Sequence, residues 1–280
     1  MYNETFGSAL KRGFMRIPVA IRTIISINFF VFLMMAIGGT SFSQWMVTYF
    51  GFVPSFGTTL FQPWRLVTYM FLHAGGFHII FNMLWLWWMG RAVEDTLGPK
   101  TFTALFLGSG VGGALINLLF AGFFGVNSVI GASGAVFGIM VAFATLYPTT
   151  PIMLFLLPPI EARFVVAGLI ALDLLFIGST DNVARIVHLG GAGVGYLLIK
   201  MHREGYDLTS WMQSFERFFY QAKQSTGNSK SSVQTVSEAE IIEEVDQNEL
   251  DRILEKISKN GYDGLTDEEK KKLFELSKKN

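Results

Sequence analysis

Cysteine is absent from the chain. That excludes disulfides, thiolate zinc sites and a cysteine nucleophile, so any catalysis has to use another group. Charge is scarce as well, at 16% of 280 residues, with a formal net charge of zero. No H-E-x-x-H run occurs, so the helical zinc-protease motif is missing. The stretch "DGLTDEE" lacks the alternating oxygen ligands of an EF-hand loop, which argues against calcium there. No repeat of solenoid period is visible. No cofactor, no metal and no nucleic-acid partner are expected.

What the chain has in excess is apolar. Hydrophobic residues make up 51% and aromatics 15%, with 27 phenylalanines and a mean hydropathy of +0.40. This is the profile of a polytopic membrane protein rather than a soluble globule. The zero net charge is the sum of two unlike parts. Of the 22 acidic and 22 basic side chains, residues 236–280 hold 13 and 8, a balance of −5, which leaves 9 and 14, or +5, for residues 1–235.

Apolar runs long enough to approach a hydrocarbon core of about 30 Å occupy residues 21–38, 77–93, 101–121, 127–147, 162–178 and 183–201. Six spans are therefore expected, two of them short. Lys11, Arg12, Arg16 and Arg22 precede the first and Lys200, Arg203 and Arg217 follow the last, so the positive-inside rule puts both ends in the cytoplasm. No small-residue cleavage site follows the first run, which reads as a retained anchor. Residues 39–76, with Pro54, Pro63 and the pair Trp64-Arg65, are too apolar for a solvated loop and are expected to lie half-embedded at the outer interface.

With this topology the second, fourth and sixth spans all run from outside to inside. His78 opens the second, Ser133 comes about six residues into the fourth and His188 about five into the sixth, depths that agree to within roughly two turns at 1.5 Å per residue. Asn82, four residues after His78, shares its helix face. Taken singly, a serine among glycines is most often a packing residue that bonds its own preceding turn. A lone intramembrane histidine or asparagine is a packing or interhelical bonding residue about as often as a functional one. The coincidence of depth favours one outward-facing cavity. Gly134 and Gly138, and Gly191 and Gly195, repeat an i, i+4 spacing that lets two helix backbones approach closely, which would draw His188 toward Ser133. A base would then stand beside a nucleophile. "GASGA" is not the elbow of soluble hydrolases, because G-x-S-x-G needs glycine where Ala135 stands.

Taken together, Trp64-Arg65, "HIIFN", "GASG" and "HLGGAGVG", in that order across residues 20–202, resemble the motifs of the rhomboid family of intramembrane serine proteases. The resemblance implies an all-α six-helix bundle, with Ser133 as nucleophile and His188 as general base, a dyad without a carboxylate. It further implies an oxyanion hole made by His78, Asn82 and the backbone N–H of Ser133. Two positions depart from the family pattern: Phe137 stands where tyrosine is common, and Val187 where alanine is. Asp173, in the fifth span, matches no family role; it pairs with a neighbouring helix or lines a polar path.

The organisation expected is a cytoplasmic segment (1–20), a six-span protease domain (21–202), an interfacial amphipathic helix with Trp211, Phe215, Phe218 and Phe219 on one face followed by a flexible linker (203–235), and a soluble helical hairpin (236–280). In that hairpin Thr266 and Glu269 form a capping box. The hairpin is a stabilising tail or a docking module. The expected function is an intramembrane serine endopeptidase of the cell inner (plasma) membrane, whose partners are the lipid bilayer and transmembrane protein substrates; its oligomeric state is open. The alternative is a catalytically weak or inactive rhomboid-like binder of membrane proteins, acting in quality control or trafficking.

Overall fold

A computed structural model describes residues 6–124, 127–153, 158–177, 182–212 and, toward the C-terminus, 252–253, 255–257, 264–266 and 269–270. Its helices are α1 (Phe6–Met15), α2 (Val19–Phe50), α3 (Phe56–Phe61), α4 (Arg65–Thr68), α5 (Gly76–Phe124), α6 (Ser133–Leu146), α7 (Ala162–Leu175) and α8 (Asn182–Arg203). A single 3₁₀ turn, Tyr69–Phe71, follows α4. Two two-residue strands, β1 (Pro151–Ile152) and β2 (Ile160–Glu161), pair antiparallel with Pro151 opposite Glu161. The all-α expectation omitted this small hairpin. The chain divides into two units, Met1–Gln213 and Ser214–Asn280.

The two longest helices are each broken at a glycine with positive φ. Gly39 (φ 74°) divides α2, and Gly98 (φ 77°), followed by Pro99, divides α5. Only glycine adopts this conformation cheaply, and proline cannot donate to the preceding turn, so one continuous run becomes two rods. Residues 19–38 form a rod of about 30 Å, the thickness of a bilayer core. Both long helices, Val19–Phe50 and Gly76–Phe123, are long and apolar enough to cross a membrane.

The first unit is apolar on the outside and carries polar groups inside. Phe30, Ile37, Phe77 and Phe123 are exposed, whereas Asn28, Glu94, Asn117 and Asp173 are buried. Such a surface suits lipid, where backbone groups are satisfied within helices and polar side chains turn inward. α6 is the innermost helix, buried at Gly134, Ala135, Val136, Gly138 and Ile139 among others, and it packs against α5, α7 and α8.

Helix ends are satisfied by distant residues. α2 begins after Pro18 with no Ser, Thr or Asp to cap it, and the buried Glu94 of α5 does so instead, accepting from the amides of Ala20 (2.8 Å) and Ile21 (2.9 Å). A carboxylate there also meets the positive end of the helix dipole. At the other end of α2, the Trp64 Nε1–H donates to Tyr49 O (3.1 Å), Thr68 Oγ1 to Phe50 O (2.8 Å) and Arg65 Nη1 to Gly51 O (2.7 Å), while Arg65 Nη2 reaches Thr48 O. The Trp64-Arg65 pair therefore caps the last carbonyls of α2, which would otherwise be orphaned. Replacing Glu94 by Ala leaves two buried amides bare. We expect it to destabilise the protein by about 2 kcal/mol, the range for hydrogen bonds to a charged group, read as a lower thermal midpoint in detergent with Glu94→Gln falling between.

In the second unit, the Thr266 N–H donates to Glu269 Oε2 (2.9 Å) and the Glu269 N–H to Thr266 Oγ1 (3.3 Å), the reciprocal capping box expected from the sequence. Lys256 pairs with Glu269 at 2.8 Å, and that ammonium together with the Thr266 amide holds the Glu269 carboxyl well below its usual range. The aromatic face expected at Trp211, Phe215, Phe218 and Phe219 falls, beyond Met212, outside the described residues.

Candidate active site

α6 is 14 residues long, about 21 Å, too short to cross a 30 Å core. The apolar run at 127–147 leads the sequence reading to place Ser133 six residues into a span. Instead, helix starts at Ser133 itself, because the residues before it are held outside the helix by distant backbone: Phe52 and Val129 exchange backbone bonds (3.0 and 2.8 Å), and the Gly131 N–H donates to Tyr69 O (2.9 Å). Tyr69, fully buried, is in turn anchored by its hydroxyl on Gly110 O at 2.8 Å. Gly131 has φ +123°, and a methyl group there would stand 2.6 Å from His78 Nε2, so both backbone and space require glycine. Ser133 is thus presented at a helix N-terminus, where the first amides have no intrahelical acceptor and the helix dipole favours negative charge.

His188 meets it from α8. Its Nε2 lies 2.7 Å from Ser133 Oγ, and its ring stacks on Phe137 with centroids 4.8 Å apart and planes at 8°. The close approach of α6 and α8 comes from the paired glycines. A methyl group on Gly195 would stand 2.5 Å from Gly138 Cα, and one on Gly191 would overlap the carbonyl oxygen of Gly134. Backbone touches backbone along this seam, as the i, i+4 glycine spacing in both helices led one to expect.

The other nitrogen of His188 has a partner that the sequence reading did not assign. Nδ1 lies 2.9 Å from Oδ2 of Asp173 on α7, and Arg185 Nη1 donates to Oδ1 of the same carboxylate at 3.2 Å. The expectation of a base with no carboxylate behind it therefore does not match the geometry. The signal was present in the sequence, since an aspartate in the apolar run "AGLIALDLLF" is costly in lipid without a partner. Its direction was not.

His78 and Asn82 line a cavity of about 360 Å³ together with Ser133, Phe77, Phe81, Trp85, Val136, Phe137, Met140 and Leu169. α5, α6 and α7 all contribute to its walls. Asn82 Nδ2 donates one N–H to His78 O at 2.8 Å, which orients the amide and leaves its second N–H available. The His78 ring packs edge-on against that of the buried His73, centroids 4.8 Å apart. Ser133, His188, His78 and Asn82 are thus gathered at one place. The wall of the cavity is mostly apolar, and Ser133 Oγ, the His78 ring and the Asn82 amide are its polar features.

A half-buried serine and histidine in hydrogen-bond contact at a helix N-terminus, within an apolar helical bundle, define a class of fold, that of membrane-type helical bundles with polar side chains gathered inside. The Rhomboid domain model matches residues 60–204, and the chain belongs to the rhomboid family. This is a family of multi-pass membrane proteins, in general intramembrane serine proteases, with inactive members among them. The C-terminal residues 244–279 match a family of unknown function, DUF6576. Among individual proteins the chain is similar to RHOMBOID-like protein 1 of Arabidopsis thaliana, 36% identical over 49% of this chain and 34% of that protein. It is also similar to the rhomboid protease GluP of Bacillus subtilis, 29% identical over 64% and 34%, and to the mitochondrial rhomboid protein 1 of Saccharomyces cerevisiae, 36% identical over 45% and 38%. The chain spans about a third of the length of these curated relatives.

Proposed function

We propose that the protein is an intramembrane serine endopeptidase that hydrolyses peptide bonds in or near the transmembrane segments of other membrane proteins, with Ser133 as nucleophile and His188 as general base. The observation that carries this reading is the 2.7 Å contact of His188 Nε2 with Ser133 Oγ at the wall of the cavity. Nε2 takes the hydroxyl proton as Oγ attacks the carbonyl carbon, then returns it to the leaving amine as the C–N bond breaks. A water molecule, deprotonated by the same nitrogen, releases the acyl group. The oxyanion formed in each half is met by the Ser133 amide at the start of α6, by the second N–H of Asn82 and by His78.

The apolar lining at Phe77, Phe81, Trp85 and Met140 suits a hydrophobic chain segment. An α-helix hides its carbonyls in its own hydrogen bonds, so the substrate has to unwind locally before Ser133 can reach one, and glycine in a substrate span lowers that cost by about 1 kcal/mol relative to alanine. In the cell the reading places six spans in the plasma membrane with both ends cytoplasmic, from the basic residues that flank α2 and α8. In this reading residues 236–280 are dispensable for cleavage itself, and a protein truncated after residue 235 should still cut purified substrate.

The test is cleavage of a purified single-span substrate in detergent, with labelling of Ser133 by a fluorophosphonate. Binding without cleavage or labelling would instead identify a non-proteolytic membrane-protein binder. Within the active protein, His78→Ala and Asn82→Ala should each lower kcat by on the order of a hundredfold, the usual loss for one oxyanion donor. Labelling should be spared more than turnover, because these donors act chiefly in the transition state. Full activity in the double variant would remove both from the site.

A further inference from the structure

The reaction proposed above uses Nε2 of His188 and leaves Nδ1 without a task. Nδ1 is 2.9 Å from Asp173 Oδ2, and Arg185 Nη1 is 3.2 Å from Asp173 Oδ1. The setting of Asp173 makes the contact pointed. Its neighbours on α7, Leu172, Leu174 and Leu175, are 50%, 54% and 78% exposed, while Asp173 is 9% exposed. α7 thus turns leucines outward and a single carboxylate inward. A carboxylate in such a helix is expensive unless paired and hydrogen-bonded, and both of its oxygens are engaged from α8. Arg185 is itself held in place, with its guanidinium 5.4 Å from the Phe176 ring centroid.

Resting on the reading of Ser133 and His188 as nucleophile and base, we propose that Asp173, oriented by Arg185, is the positioning residue of this base, so that the site works as a Ser133–His188–Asp173 triad. A neutral imidazole carries one N–H, and an ionised carboxylate only accepts. Contact with Asp173 therefore selects the tautomer protonated at Nδ1 and leaves the Nε2 lone pair facing Ser133 Oγ. When Oγ bonds to the substrate carbonyl carbon, its proton passes to Nε2 and the carbonyl π electrons become the oxyanion. The imidazolium so formed lies against the Asp173 carboxylate, which keeps its charge and receives no proton. As the C–N bond breaks, the Nε2 proton leaves with the amine. The groups around His188 have separate tasks. α6 supplies Ser133 and the Phe137 ring beneath the imidazole, α7 supplies Asp173, Arg185 of α8 fixes the far oxygen of that carboxylate, and α5 brings His78 to the cavity wall.

The test uses the full-length protein in detergent with a single-span substrate, and reads kcat, KM and the tautomer of His188. Asp173→Asn keeps the shape but offers an N–H to Nδ1, which favours the wrong tautomer. We expect kcat to fall by roughly 10²–10⁴-fold, as in other serine hydrolases that lose their carboxylate, with KM nearly unchanged. In the wild-type protein, ¹⁵N resonances of labelled histidine, assigned with His188→Ala, should show neutral His188 protonated at Nδ1. An active wild type with an indifferent Asp173→Asn, or with neutral His188 protonated at Nε2, overturns the proposal while leaving the protease reading intact. If Asp173→Asn fails to fold, the wild-type tautomer alone decides. A wild type inert to both substrate and fluorophosphonate removes the base itself, and the proposal falls with the protease reading.

Discussion

Ser133→Ala and His188→Ala should each abolish cleavage of a single-span substrate, lowering kcat by about 10⁴-fold or more, the scale seen when a serine hydrolase loses its nucleophile or its base. The Ser133 side chain contributes one atom to the site, its Oγ, and His188 contributes Nε2 at 2.7 Å from it. Neither side chain belongs to the glycine seam that joins α6 to α8, so both variants should fold and keep their thermal midpoints. Fluorophosphonate labelling should vanish with Ser133→Ala and fall steeply with His188→Ala, because an alcohol with no base is a poor nucleophile. The double variant should be scarcely worse than either single one, since nucleophile and base act as a unit. Chelators should leave the wild-type rate unchanged. Substantial cleavage by Ser133→Ala would assign the chemistry to another nucleophile, and inhibition by EDTA that zinc restores would assign it to a metal.

Gly195→Leu should be nearly as damaging without touching a reacting atom. A methyl group at 195 already falls 2.5 Å from Gly138 Cα, and the obstacle is backbone, which cannot rotate away as a side chain can. α8 must therefore shift from α6, and His188, two turns earlier on α8, shifts with it. A displacement of about 1 Å at a reacting pair costs roughly a hundredfold in rate, and leucine demands more than that. Gly191→Leu, one turn nearer His188, should behave in the same way. Gly193 provides the internal control. It lies on the same helix with no atom within 4 Å of an added methyl group, so Gly193→Leu should keep its activity. Equal kinetics for the 193 and 195 variants, both well folded, would refute the close seam as the device that brings base to nucleophile.

The seam and the Ser133–His188 pairing were legible in the sequence for one reason. Spacings of four residues along a helix map directly onto one face, so Gly134 with Gly138 and Gly191 with Gly195 announce two complementary stripes. Hydropathy located the helical runs near their observed places, since length and polarity of a run are local properties. The capping box at Thr266 and Glu269 was legible for the same reason, being complete within four residues. The start of α6 was not. Residues 127–131 contain no proline to end a helix, and what keeps them out of α6 is a bridge to Phe52 and a bond to Tyr69, partners more than sixty residues away.

By itself, then, the sequence determined an apolar helical protein of the rhomboid type, with a serine and histidines at a common depth and glycines to bring them together. Contacts between distant helices were decided only by the tertiary structure. Trp64 and Arg65 carry a family motif in the sequence, yet their work of capping α2 appears only once Tyr49, Gly51 and Thr48 stand beside them. Glu94 reads as one more charge at a helix end until it is seen 2.8 Å from the amide of Ala20, 74 residues earlier. Asp173 shows the limit best. Its burial was foreseeable from the cost of a carboxylate in lipid, but the choice of His188 Nδ1 as partner depends on how far α7 and α8 are rotated about their own axes. A one-dimensional pattern of polarity carries the period of each helix but not the angle at which two helices face each other.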